Sequence, residues 1–325
     1  MVDVKSFIDA IFSTFDKSAA QLFDDWMALR PATRKWMIAA DFALRDRSRP
    51  GDCFAFSIVP YERNFEEYKL ETQVHLPKDL KDSRELHDHS ASWIRDNEAF
   101  HIIFPINADR KFYFDGDRRD VDVARESLEL TTKMLIELDR EEETVRKFRR
   151  AVQKSKANGF PLGLFTDLTI LSLLLPVVSL LIARRREPEV LGWMCDRDSM
   201  TSWGDGIVWE LANENLLGLA SNLALPTDKL RPLIALPDKS RQGEEAMWFD
   251  HLVRTPDWLA GTLAAWDWSN NDVSDHHPKY LQMIENVCAD ATNIVILPIS
   301  MTRQGANVFR LVVEKPSTDD DAEAT

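Results

Sequence analysis

Asp41 is the only polar side chain between Trp36 and Leu44, a run that otherwise reads Trp-Met-Ile-Ala-Ala-Asp-Phe-Ala-Leu. An ionised carboxylate inside an apolar strand needs a hydrogen-bonding partner or a cation. Two later aspartates sit where they could join it. Asp196 directly follows the apolar run at 190–195, and Asp257 opens a helical stretch, Pro256-Asp257-Trp258-Leu259-Ala260-Gly261. Asp198 comes two residues after Asp196 and would share its face if the strand continued; Asp46 and Asp250 are outer candidates. Carboxylates that converge from separate elements are suited to hard cations such as Mg2+ or Mn2+, and through them to phosphoryl transfer. With 54 acidic residues in the chain, the same placements also arise without a site: Asp257 as a first-turn carboxylate on a helix dipole, Asp196 as a turn residue.

Other chemistries lack their signatures. None of the eleven glycines forms a dinucleotide or phosphate-binding loop, and no Gly-x-Ser-x-Gly elbow occurs. The cysteines (Cys53, Cys195, Cys288) are isolated in apolar or helical surroundings, which suits buried structural thiols and neither a zinc ribbon nor a disulfide framework. His87-Asp88-His89 resembles a metal-ligand cluster, but neighbours on a helix diverge, so solvated surface is expected there.

The elements that must position these residues read as mixed α/β. Residues 3–30 carry Phe7, Ile8, Ile11, Phe12, Phe15, Leu22, Phe23, Trp26 and Met27 at helical spacing. Residues 34–60 are two apolar runs joined by a Pro50-Gly51 turn, hence an antiparallel hairpin. Further strands are expected at 69–76, 98–106, 190–195, 231–236, 293–299 and 307–313. Helices are expected at 83–94, 121–157, 207–219, 244–253, 256–268 and 280–289, with Thr255 as the N-cap of the 256–268 helix.

Residues 160–183 are apolar enough to raise a membrane span, and Arg184-Arg185-Arg186 follows like a stop-transfer flank. Asp167 interrupts the run, so a buried core helix and no stable span is the expectation. No basic segment followed by an apolar one opens the chain, which points to the cytoplasm. The net charge of −14 opposes broad nonspecific binding to nucleic acid. A local exception is one helix face carrying Arg146, Arg150 and Lys154, which is either a phosphate-tracking surface or a solvated face with internal ion pairs.

A strand aspartate in a hairpin, a strand aspartate after a central helix, and a helix aspartate followed by small apolar residues together resemble RNase H-like nucleases. The segment Thr255-Pro256-Asp257-Trp258-Leu259-Ala260-Gly261 is similar to the Q-x-A-D-x-x-A-G helix of a bacterial RNase H-like family of unknown function. The family's Asp-Glu-Ser-Gly is Asp41-Phe42-Ala43-Leu44 here, and its upstream Gln is absent. The resemblance implies a mixed-sheet RNase H-like core at 34–315 with a long helical insertion; by their own residues, 1–33 read as an N-terminal helical extension and the small, acidic 316–325 as a disordered tail. It implies a metal-dependent nuclease with Asp41, Asp196 and Asp257 as catalytic residues and Asp198 assisting at the metal. The competing expectation is a degenerate, non-catalytic module that binds another protein, with Trp203, Trp209, Trp248, Trp258, Trp266 and Trp268 as core and anchors.

Overall fold

The strand alternation around Asp41 sets the architecture of the computed structural model, which describes residues 1–77, 83–157, 159–196, 198–236, 247–268, 270–273 and 278–315. In β1 (Lys35–Ala43), Trp36, Ile38 and Ala40 face one apolar core, and Ala39 faces another. The same period of two puts Asp41 on the Ala39 side. β2 (Asp52–Pro60) pairs antiparallel with β1, and β3 (Phe100–Ile106) antiparallel with β2. On the other side of β1, β4 (Val190–Cys195) pairs in parallel, followed by β5 (Leu233–Ala235), also parallel. The short strands β6 (Trp266–Asp267) and β7 (Asp272–Val273) form a separate ribbon. β8 (Ile294–Ile296) and β9 (Ile299–Thr302) line β3, and β10 (Gly305–Val308) pairs with β9. The main sheet is thus mixed, ordered β10-β9-β3-β2-β1-β4-β5.

Helices cover both faces. Below the Trp36 face lie α1 (Val4–Ser18), α2 (Ala20–Ala28), α5 (Asp120–Glu137), α6 (Glu142–Lys156), α7 (Leu162–Ala183) and α8 (Ser199–Asn222). Above the Ala39 face lie α3 (Phe65–His75), α4 (Asp88–Asp96), α9 (Asp250–Ala265) and α10 (Pro278–Met283). α1 and α2 bury the residues marked by their spacing, and these join the same core as the sheet.

α7 is long and apolar enough to cross a bilayer, yet it is almost wholly enclosed by protein. Its polar details fit a core helix. Pro176 cannot donate to Ser172, and the Asn215 amide of α8 donates to that carbonyl instead, at 2.9 Å. The arginines after it bind the first helices: Arg184 pairs with Asp16 at 2.8 Å, Arg185 with Asp24, and Arg186 donates to the Arg30 carbonyl.

Several expected elements differ. The strand at 69–76 is part of α3, whose N-cap Asn64 accepts from the Glu66 amide at 3.0 Å and which buries Tyr68 and Thr72 one turn apart. The 121–157 helix is two, α5 and α6, broken where Asp139 adopts φ 51°, a left-handed conformation that aspartate tolerates. The helices at 244–253 and 256–268 are the single α9, which runs through Pro256, so Thr255 is helical and not an N-cap. Residues 244–246 and the tail at 316–325 lie outside the described residues.

Candidate active site

β1 and β4 run in the same direction, and Asp41 and Asp196 lie at their carboxyl ends. The chain leaves β1 toward β2 on one side and β4 toward β5 on the other. The Asp196 amide donates to the Ala40 carbonyl at 3.3 Å, extending the ladder one residue past β4. Asp196 therefore shares a face with Met194, which packs with Ala39 against Leu252 and Val253 of α9. That helix lies across β1 and β2 and brings half-buried Asp257 over the strand ends.

The three aspartates separated by 155 and 61 residues thus converge. Asp41 and Asp257 share a side-chain hydrogen bond, and the charge of Asp196 also acts on Asp41. A hydrogen bond between two carboxyl groups requires a proton on one of them. Burial, then the negative charges of Asp257 and Asp196, push the Asp41 carboxyl well above its ordinary range, against the opposing effect of the Phe42 amide, which donates to its Oδ1 at 2.7 Å. Below β4, burial and the charges of Asp41 and Asp196 push the Cys195 thiol up as well. Burial raises Cys53 too, and Cys288 to about 12, so none of the three is a ready thiolate nucleophile.

Oxygen donors alone suit Mg2+ or Mn2+. Among the described residues, no three His, Cys, Asp or Glu side chains stand close enough to cage an ion as arranged. Mg2+ needs no such cage, because it retains waters and is held by one or two carboxylates together with substrate phosphates. The Asp41–Asp257 pair meets that requirement in donor type.

The outer candidates have other work. Asp198 is the N-cap of α8: its side chain accepts from the Met200 amide at 2.6 Å, and its own amide donates to Thr201 Oγ1 at 3.2 Å. β4 ends before it, so the expected acidic pair on one strand face does not form. Asp250 pairs with Arg254 at 2.9 Å, and Asp46 accepts from Ser48 Oγ at 2.6 Å within the β1–β2 turn. His87 and His89 are exposed, with rings stacked 5.4 Å apart.

The basic face lies on α6. Ion pairs Arg140–Glu214, Lys147–Glu210 and Arg150–Asp205 set α6 antiparallel to α8. Its last, most basic turns therefore run toward the start of α8, the end of the sheet where Asp196 emerges. Arg150 is half-exposed and bound to Asp205 at 2.7 Å, whereas Arg146 and Lys154 project into solvent.

A second charged cluster escaped the sequence reading. Arg110, wholly buried, bridges Asp52 at the start of β2 and Asp167 of α7. Asp167 also receives the Arg45 guanidinium at 2.5 Å. The signal was available: Asp167 is a carboxylate in an apolar run, as Asp41 is. No family model, curated protein or solved structure matches this chain.

Proposed function

We propose that this chain is a metal-dependent nuclease of RNase H-like type, with Asp41, Asp196 and Asp257 as its catalytic carboxylates. The observation that carries this reading is the convergence of a first-strand aspartate, an aspartate ending the parallel neighbouring strand, and a helix aspartate above both. These are the three placements on which the RNase H resemblance rests. Asp41 and Asp257 would hold Mg2+ or Mn2+ between them, replacing their shared proton, and Asp196 would supply a further oxygen donor from β4. The bound ion would activate water and stabilise the leaving oxygen of a phosphodiester. Arg146, Arg150 and Lys154 would receive the nucleic-acid backbone on the flank.

Thermal unfolding with and without 5 mM Mg2+ or Mn2+ tests the site, together with cleavage of labelled DNA and RNA. An ion present at ten times its Kd stabilises the fold by roughly 1.4 kcal/mol. A rise in Tm that Asp41→Asn removes, with cleavage lost in the same variant, is the expected result. Equal Tm values in EDTA and in both metals would sink the reading.

A non-catalytic interaction protein is the second reading, and the exposed edge favours it. Leu233 and Leu236, in and beside edge strand β5, are 65% and 53% exposed. The tryptophans contribute mostly core, since Trp209, Trp258 and Trp266 are buried, and Trp248 alone among the six is more than half exposed. Under this reading metal ions leave Tm unchanged.

A further inference from the structure

A polar cleft of about 220 Å³ opens on the α7 side of the sheet, lined by Arg45, Asp109, Arg110, Lys111, Gly163 and Thr166 among others. The strand register fixes where it lies. Ala43 is opposite Cys53, and Asp52 is opposite Ile106, so β1 and β3 both end where β2 begins. Since β4 runs parallel with β1, this is also the end from which Asp196 emerges. Asp41 and Arg45 are only four residues apart, the one under α9 and the other against α7. The cleft and the three carboxylates therefore flank the same strand end from opposite faces.

Its acidic groups are engaged, and two of its cations have donors to spare. Asp52 and Asp167 are taken up by Arg110 and Arg45, Asp120 by Arg303 at 2.8 Å, and one oxygen of Asp109 by the Asn107 amide at 2.7 Å. Arg45 spends Nε and Nη2 on Asp167 and on the Gly163 carbonyl, which leaves Nη1 of a 43% exposed side chain. Lys111 is exposed and forms no ion pair among the described residues. Gly163 makes the guanidinium's seat: a Cβ there would fall 2.5 Å from Arg45 Cζ. A fixed guanidinium beside a free ammonium is suited to a phosphate oxyanion.

We propose that this cleft binds a backbone phosphate of the same polynucleotide whose phosphodiester is presented to Asp41, Asp196 and Asp257. The proposal rests on the nuclease reading for its substrate, and it adds a second contact that fixes how the strand crosses the sheet end.

Fluorescence anisotropy in EDTA, with labelled single-stranded 12-residue DNA and RNA, reads binding apart from cleavage. Lys111→Ala should weaken binding about tenfold at 0.1 M salt and lower the slope of log K against log salt by about 1, while Lys111→Arg should retain most of the affinity. Gly163→Ala, which displaces the Arg45 head group, should weaken binding in the same direction, with its melting curve checking that the fold survives. Wild type that binds neither strand, or Lys111→Ala that binds as wild type does, overturns the subsite. Cleavage assays in Mg2+ separate the two ideas. Cleavage with Lys111-independent binding removes the subsite and keeps the nuclease; Lys111-dependent binding without metal-dependent cleavage keeps the subsite and removes the nuclease.

Discussion

Two carboxylate groupings flank the same end of the sheet on opposite faces, and they are built on opposite electrostatic rules. On the α7 face, Asp52 and Asp167 are almost fully buried, and each meets a guanidinium, with Arg110 bridging both. On the α9 face, Asp41 has the carboxyl groups of Asp257 and Asp196 as neighbours, and they act to keep it protonated. The first grouping is electrically closed, so removing any member exposes the others to a desolvated environment. The second places acid beside acid, so that the charges of Asp257 and Asp196 add to burial in raising the Asp41 carboxyl. Charge arrangements of that kind concentrate where ligands bind. The contrast teaches that burial of an aspartate says little by itself; the charge of its neighbours separates a strut from a site.

The contrast breaks most forcefully at Arg110. Arg110→Met leaves Asp52 without its bridge and Asp167 with Arg45 alone, and the loss should be about 3–5 kcal/mol, the usual cost of breaking a buried ion pair. Thermal or urea unfolding measures it, and adding Asp52→Asn should restore part of the loss.

Asp41→Asn should act in the opposite direction. The Asp41 carboxyl binds its proton more tightly in the folded state than at its ordinary value of 3.8. Between those two values the folded chain carries the extra proton, so stability falls as pH rises through the window and the loss is complete above it. In EDTA, Asp41→Asn should therefore melt nearly level with wild type at pH 4 and rise above it as pH rises, by about 2 °C for each 1 kcal/mol of proton linkage lost. A variant that melts below wild type at pH 8 would place Asp41 with the struts.

Much of this was legible in the chain. The hairpin, the strand at 190–195 and the buried character of α7 follow from apolar runs and their punctuation, which are local properties. Asp41 stood out because a strand side chain that should be apolar was charged, and Asp257 because its helix resembles a family motif. The second grouping was hidden for a physical reason. Arg110 lies in a polar loop where an arginine is ordinary, and only the antiparallel register that sets Asp52 opposite Ile106 brings it against its partners. Pro256 misled in another way, since α9 tolerates a proline in its second turn that local rules treat as a start. Asp139 ended a helix without the glycine or proline that usually announces a break.

The smallest effect decides how far the site extends. Asp196 and Asp198 are two residues apart, yet one continues the ladder of β4 and the other caps α8. Asp198→Ala removes the bond to the Met200 amide and half of the reciprocal cap with Thr201, which should cost about 1 kcal/mol. Its response to Mg2+ or Mn2+ should stay that of wild type, because the cap points its carboxylate at backbone amides and not at Asp41. Asp196→Asn should do the reverse, leaving the cap whole and lowering the metal-induced rise in Tm. Differential scanning fluorimetry of the two variants over a metal titration separates these outcomes. If Asp198→Ala lost the metal response instead, the acidic grouping would reach beyond the strand end, and Asp198 would coordinate as well as cap.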